Sequence, residues 1–344
     1  MIGLYFLGSK SPEKLSEICQ VGCSNRKDRC FETQILRAAA GLRALVLGMI
    51  VVGLGLVAPC QRISAQELSR VLFEKESLYH YVRVVEEGDI RRLQFRRSGI
   101  DFEESAINVR NPLDFPLHYY KLMMAGFIHC PHPQRILFVG LGGGTLVRAI
   151  RHYYPDVQLD VIELDPVVVE AAQAYFGFKE DSRMKVYIRD ARVQMTRLAK
   201  EGARYDMIFL DAFRGGYIPY HLTTREFMEL VAKLLEYDGV VVSNLQPGFA
   251  SYHYQRRTIA RVFPSEWSYG RYGNVIVVAS KKPQRLSREE IIKRAEQLQA
   301  EKKFTFFLPE VAQLGTSGED YVRQGEILTD DYAPTDVLRS IPQD

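Results

Sequence analysis

The stretch Ile136-Leu137-Phe138-Val139-Gly140-Leu141-Gly142-Gly143-Gly144-Thr145 decides how the rest of the chain is read. Four consecutive apolar residues bounded by glycine read as a short strand buried on both faces. The residues that follow, 146–153, carry a helical pattern, so the glycines form a turn between strand and helix. Glycine there takes positive φ without penalty and lets a ligand approach the backbone. The first amides of the helix face whatever lies above the turn. A dinucleotide fingerprint would place glycine at 145, where this chain has threonine; the looser G-x-G-x-G spacing is met by Gly140, Gly142 and Gly144. An NAD-binding reading is thereby weakened, and a purely structural turn stays open for the loop taken by itself.

Downstream, apolar runs alternate with amphipathic helices: strands at 159–164, 184–188, 207–210 and 240–242, and helices at 167–176, 193–200 and 224–235. Continuous apolar strands separated by helices predict an α/β fold whose parallel sheet is covered on both faces. The run at 274–279 is expected in the same sheet, followed by a charged helix at 287–299 and a turn-rich end at 328–334. Upstream, residues 79–85 and 92–95 flank Glu86-Glu87-Gly88-Asp89, a strand, turn, strand pattern. A helix at 119–128 is stopped by Pro131-His132-Pro133. The expected division is a leader at 1–65, a small β-rich domain at 66–120, a nucleoside-binding Rossmann-like domain at 121–283 and a C-terminal helix and tail at 284–344.

Residues with chemistry fall at strand ends. Glu163, nineteen positions after Gly144, closes the second strand of the alternating region and could accept both hydroxyls of a ribose. Asp165 reads as the N-cap of the next helix, with Pro166 in its first turn. Asp190-Ala191 ends the third strand, where a carboxylate could meet an adenine amino group or simply cap a helix. Asp211 ends the fourth strand ahead of Ala212-Phe213-Arg214-Gly215-Gly216-Tyr217 and is the leading catalytic residue. An amine of pKa about 10 arrives protonated, and such a carboxylate can attract it and take its proton; capping a turn is the plain alternative. Tyr217, Tyr220 and His221 are acceptor-pocket residues or ordinary packing. His129, Cys130 and His132 lack a carboxylate partner and sit in a rigid proline-rich connector, so no metal is expected.

Composition sets outer bounds. A chain of 344 residues, 47% hydrophobic and 25% charged, can build one large domain or two modest ones. A net charge of +3 gives no argument for a nucleic-acid partner. Cys19, Cys23 and Cys30 fit no zinc spacing, and with Cys60 and Cys130 isolated no disulfide framework is expected. The apolar run 44–58 follows Arg37 and Arg43 and precedes Ile63-Ser64-Ala65, a loose small-residue cleavage site. It is shorter than the roughly 20 residues of a membrane span, so it reads as a signal-peptide core or a marginal membrane anchor. As a signal peptide it would export the folded domain; a protein dependent on a cytoplasmic donor would instead stay cytoplasmic or membrane-associated.

The glycine loop, Glu163, Asp190-Ala191, Asp211 and Leu222-Thr223-Thr224-Arg225-Glu226-Phe227 together resemble the spermidine synthase (polyamine aminopropyltransferase) family, from about Ser77 to the C-terminus. The resemblance implies the AdoMet-dependent methyltransferase fold with a β-stranded N-terminal part. It also implies decarboxylated AdoMet as donor, an amine acceptor and a homo-oligomer. Three motifs depart from the family pattern. Val139 to Gly144 replaces G-G-G-D-G-G, placing Gly142 where an aspartate meets the donor's ammonium. In D-S-x-D-P, Asp211 survives and Arg214 replaces the second acid. In D-E-F-x-Y-x-E only Asp114 keeps its charge. Losing acids and gaining Arg214 disfavours a diamine, while Arg214 could pair with a carboxylate on an acceptor or on the methionine end of intact AdoMet. Methyl transfer from AdoMet is therefore the alternative reaction, and a non-catalytic nucleoside-binding or scaffold domain the alternative of another class.

Overall fold

In the computed structural model, residues 69–270, 273–283, 286–318 and 321–332 are described, and all of them belong to one compact unit. The leader, the apolar run at 44–58, four of the five cysteines and the end of the turn-rich tail lie outside the described residues. Among those described, no helix is long and apolar enough to cross a membrane.

The small β element is a four-stranded antiparallel sheet in sequential order, built from β1 (Arg70–Glu76), β2 (Tyr81–Glu87), β3 (Ile90–Arg97) and β4 (Ile100–Asn108). Glu87 pairs with Ile90, so Gly88-Asp89 is a two-residue hairpin loop, and Gly88 takes φ +57 there. Alternation then sets the faces. Val82, Val84, Leu93 and Phe95 point to one side, where they bury against Val167, Val168, Ala171 and Phe176. Arg83, Arg96 and Asp101 share the solvent side in a cross-strand ion-pair cluster.

The helix expected at 119–128 is two short pieces, α1 (His118–Met123) and α2 (Gly126–His129). Between them the backbone tightens to three-residue hydrogen bonds, from Ala125 to Leu122 and from Phe127 to Met124. Gly126 sits so tightly on the sheet that a Cβ there would lie 2.6 Å from Val242.

From there strand and helix alternate: β5 (Arg135–Val139), α3 (Thr145–Tyr153), β6 (Gln158–Glu163), α4 (Pro166–Tyr175), β7 (Met184–Ile188), α5 (Ala191–Lys200), β8 (Tyr205–Leu210), α6 (Arg225–Leu234) and β9 (Leu235–Leu245). Helix starts follow local chemistry: Asp165, Asp190 and Thr224 each cap with a side-chain oxygen, and Pro166 fills the first turn of α4. After α7 (Tyr252–Val262) come β10 (Ser265–Tyr269), β11 (Val275–Ser280), α8 (Arg288–Lys302) with a Ser287/Glu290 capping box, α9 (Leu308–Gln313) and the two-residue β12 (Gly315–Thr316).

The eight strands from β5 to β12 form one sheet in the order β12-β10-β11-β9-β8-β5-β6-β7. β9, β8, β5, β6 and β7 run parallel, as expected. The run at 274–279 does join the sheet, but antiparallel to β9, and β10 is antiparallel to it in turn. The all-parallel expectation is thus corrected at one flank. α7 and β10 had no apolar signature because their buried faces are polar: Arg256 (0% exposed) and Glu266 (3% exposed) form an ion pair at 3.4 Å beside Tyr252 and Tyr321.

Strand order reverses at β5, whose neighbours β6 and β8 lie on opposite sides. Ligands of open α/β sheets bind at such a switch point, outside the carboxyl ends of the strands. The small sheet reaches the same place, since the Thr145 hydroxyl at the start of α3 donates to the Ala106 carbonyl of β4 at 3.0 Å.

Candidate functional site

A cleft of about 490 Å³ opens at this switch point, walled on one side by the loops after β5 to β9 and on the other by β4 and the start of α1. Glycine sets its floor. Gly140 has φ +92, and a Cβ on it would fall 2.3 Å from the Asp211 carbonyl oxygen, so this residue lets the loops after β5 and β8 touch. Gly142, φ +55, faces Ser105 of β4, and an added Cβ would stand 3.2 Å from that side chain. Both line the cleft. Gly144 does not: it starts α3 in the left-handed conformation and lies against Phe178, so the expectation that it touches a ligand is corrected to a packing role.

Glu163 is buried in the cleft wall. One carboxylate oxygen accepts the Leu141 amide at 2.8 Å and the other the Asp165 amide at 3.0 Å. It therefore ties the glycine loop to the end of β6, and burial raises its pKa from the ordinary value despite these bonds. A carboxylate has about four acceptor sites, so two remain for ribose hydroxyls. Asp165 is the cap expected, its carboxylate taking the Val167 amide at 2.9 Å, and it also binds Ser77 and His80. Asp190 caps α5 through Val193 at 3.0 Å and meets His221 at 2.9 Å, and the His221 bond is the main cause of its lowered pKa. Asp190, Ala191 and His221 all line the cleft.

Asp211 lines the same cleft at the end of β8. Asn274 donates to Asn244 at 2.9 Å and Asn244 donates to Asp211 at 2.8 Å, a relay that fixes one carboxylate oxygen. The other oxygen faces the Tyr119 hydroxyl at 3.4 Å, a long contact that leaves it available to a ligand. Burial pushes the Asp211 pKa up to about 6, against the lowering effect of Asn244 and Tyr119.

A neighbouring acid was missed in the sequence. Glu104 of β4 lines the cleft; burial first, and the Asp211 charge second, push its pKa up to about 8, against the lowering effect of the Gly215 and Gly216 amides. No local motif marks it, because it reaches Asp211 only through the packing of β4 over the glycine loop. Its alternating position on a strand edge was the one available signal. His80 was also passed over. Its ring stacks on Phe95 at 3.9 Å, Nδ1 meets Asp165, and Nε2 is buried at the cleft with no hydrogen-bond partner.

The remaining acceptor-side residues divide. Arg214 and His221 line the cleft. Tyr217 stays off its surface, with the Arg97 guanidinium 5.5 Å from its ring. Asp114 is exposed, 3.5 Å from the Asn108 amide, and does not border the cleft. Its placement in a substrate pocket is corrected: the turn before α1 carries it outward while Tyr119 and Tyr120 go in. Among the described residues, no group of three His, Cys, Asp or Glu side chains gathers as metal ligands. His129 instead bonds the Tyr269 hydroxyl at 2.7 Å, and burial drops its pKa to about 3.

Residues 117–265 match the spermine/spermidine synthase domain model. The chain is 32% identical over 277 residues to the polyamine aminopropyltransferase of Vibrio vulnificus, covering 79% of this chain and 92% of that protein. A probable spermidine synthase from Corynebacterium glutamicum superimposes with TM-score 0.56 at 19% identity, over 75% of this chain and 97% of that one. Human methyltransferase-like protein 13, solved in complex with SAH, does so with TM-score 0.51 at 25% identity, over 64% and 100%. The fold is the Rossmann-like one shared by AdoMet-dependent methyltransferases and spermidine synthases. Switch-point cleft, glycine turn and strand-end acids thus sit in a chain that belongs to the spermine/spermidine synthase, or polyamine aminopropyltransferase, family of transferases.

Proposed function

We propose that the cleft transfers an aminopropyl group from decarboxylated AdoMet to an amine, a step of polyamine biosynthesis. The observation that carries this reading is that Asp211 and Glu104 line the same cleft, near enough for the Asp211 charge to raise the Glu104 pKa. Two carboxylates held close in a partly dry site repel each other and are relieved by a cation, which is what a protonated amine supplies. The second acid also offsets the acids lost from the family motifs.

In this reading the adenosine lies over Gly140 and Gly142, Glu163 accepts the ribose hydroxyls, and Asp190 with Ala191 borders the adenine. Asp211, fixed by Asn244, draws the acceptor's ammonium in and takes its proton at the oxygen facing Tyr119. The freed amine attacks the propyl carbon, the bond from that carbon to sulfur breaks, and methylthioadenosine leaves. The sulfonium is already a good leaving group, so the protein's main task is alignment. No metal has a part in the scheme. A homo-oligomer belongs to the same proposal, as does membrane association through 44–58; light scattering and vesicle flotation test them.

Methyl transfer is the second reading, favoured by the likeness to the human methyltransferase and by Gly142 standing at the family's acidic position. Incubating the full chain with each donor separates the two. Amine-dependent release of methylthioadenosine from decarboxylated AdoMet supports aminopropyl transfer; formation of S-adenosylhomocysteine from AdoMet, with no reaction of the decarboxylated donor, overturns it. If neither donor raises the melting temperature, the scaffold reading takes their place.

A further inference from the structure

The other basic side chains lining the cleft each have a side-chain partner. His80 meets Asp165, His221 meets Asp190, and Arg189 donates to the Gln194 side chain at 3.3 Å. Arg214 borders the same cleft, and among the described residues its guanidinium has no hydrogen bond or ion pair. Its loop is nonetheless fixed. The Arg214 amide bonds the Tyr217 carbonyl at 2.8 Å, and Gly215 and Gly216 turn with φ +58 and +92. Gly216 lines the cleft together with Glu104. Glu104 and Asp211 therefore line the same cleft as Arg214, an exposed planar cation with no side-chain partner among the described residues.

We infer, resting on the aminopropyl reading above, that the acceptor is a zwitterion: an amine whose far end carries a carboxylate, seated by Arg214, while its ammonium enters between Asp211 and Glu104. Arginine suits this because its fork of donors matches a carboxylate and cannot lose its charge. A diamine of the same length would set a second ammonium against that guanidinium. The reacting end is unchanged: the ammonium gives one proton to Asp211, its nitrogen bonds the propyl carbon, and methylthioadenosine departs with the sulfur electron pair. The product then keeps a carboxylate and gains a secondary and a primary amine.

Two four-carbon acceptors that differ only at the far end test this: 4-aminobutanoate and 1,4-diaminobutane, each with decarboxylated AdoMet and the full chain. The expected result is a kcat/KM at least about tenfold higher for the amino acid, inverted in Arg214→Asp, an exposed loop change that leaves the fold intact. A wild-type preference for the diamine, or a ratio unmoved by R214D, overturns the inference. Calorimetry of both acceptors on the methylthioadenosine-loaded protein reads the same preference without turnover, so an idle reaction does not rescue the idea. A third arm locates the carboxylate. If wild type binds AdoMet more tightly than its decarboxylated form and R214D abolishes that difference, Arg214 serves the donor, and the acceptor assignment falls together with aminopropyl transfer. An unreactive diamine and amino acid with normal donor binding would instead sink only the acceptor assignment.

Discussion

The two walls of the cleft are built by different rules. On one side, the carboxyl ends of β5 to β9 deliver Gly140, Glu163, Asp190, Asp211 and Asn244, from the last residues of a strand or the loop that follows it. On the other, β4 delivers Glu104 and Ser105 from within a strand, and the β1–β2 turn delivers His80. Strand-end residues are placed by the parallel sheet, whose geometry brings every such loop to one edge. Residues on the small sheet reach the cleft only because Val82, Val84, Leu93 and Phe95 dock on α4, which aims the neighbouring face of β4 at the glycine turn. The first wall carries its chemistry in motifs; the second carries it in packing.

Proton transfer falls to the first wall, where the largest effect is expected. Asp211→Asn keeps the Asn244 contact in shape but removes the base, so kcat should fall about 10²–10⁴-fold with little change in donor affinity. For wild type, kcat/KM should rise with pH through about 6 as Asp211 ionises. An unaltered pH profile in D211N would take the base away from this residue.

Next in size is donor binding. Glu163→Ala removes the acceptor of the Leu141 and Asp165 amides as well as the expected ribose contact. Calorimetry with methylthioadenosine should show affinity weakened about 10–100-fold, the range for lost hydrogen bonds to a charged group.

Glu104→Gln probes the second wall. Its acceptor KM should rise about tenfold while donor affinity holds, and an equal loss in both would erase the division of labour between the walls. Stability supplies a sharper sign. Glu104 has its pKa raised from the ordinary 4.5 to about 8, so the ligand-free fold is favoured by its neutral form. That contribution is complete below pH 4.5 and is lost as pH rises towards 8. The wild-type melting temperature should therefore decline across this window, and E104Q should flatten the decline by a few degrees.

Smallest is a contact remote from the chemistry. Asp330 accepts Arg192 at 2.7 Å and the Thr224 hydroxyl at 2.7 Å, fastening the segment around it to the starts of α5 and α6. The pair is partly exposed, so Asp330→Asn should cost only about 0.2–1 kcal/mol in urea unfolding and leave kcat unchanged. A clear loss of activity would show that the first wall depends on more than its own loops.

Sequence by itself determined the alternating strand and helix order from β5 to β9, the turn at Gly88-Asp89, the caps at Asp165 and Asp190, and the position of Glu163 and Asp211 at strand ends. These are local properties: a run of four apolar residues, a glycine with positive φ or a capping carboxylate is written within a few positions of where it acts. Tertiary structure alone decided that β11 enters antiparallel, that a polar segment from Tyr252 to Tyr269 is buried around an Arg256–Glu266 pair, that Asp114 faces out, and that Glu104 joins Asp211. These depend on how separate elements pack: Arg256 and Glu266 come from α7 and β10, and Glu104 lies on β4 while Asp211 follows β8. A strand's own side-chain pattern names its two faces, but which of them meets the glycine turn is settled by what the opposite face finds to bury against.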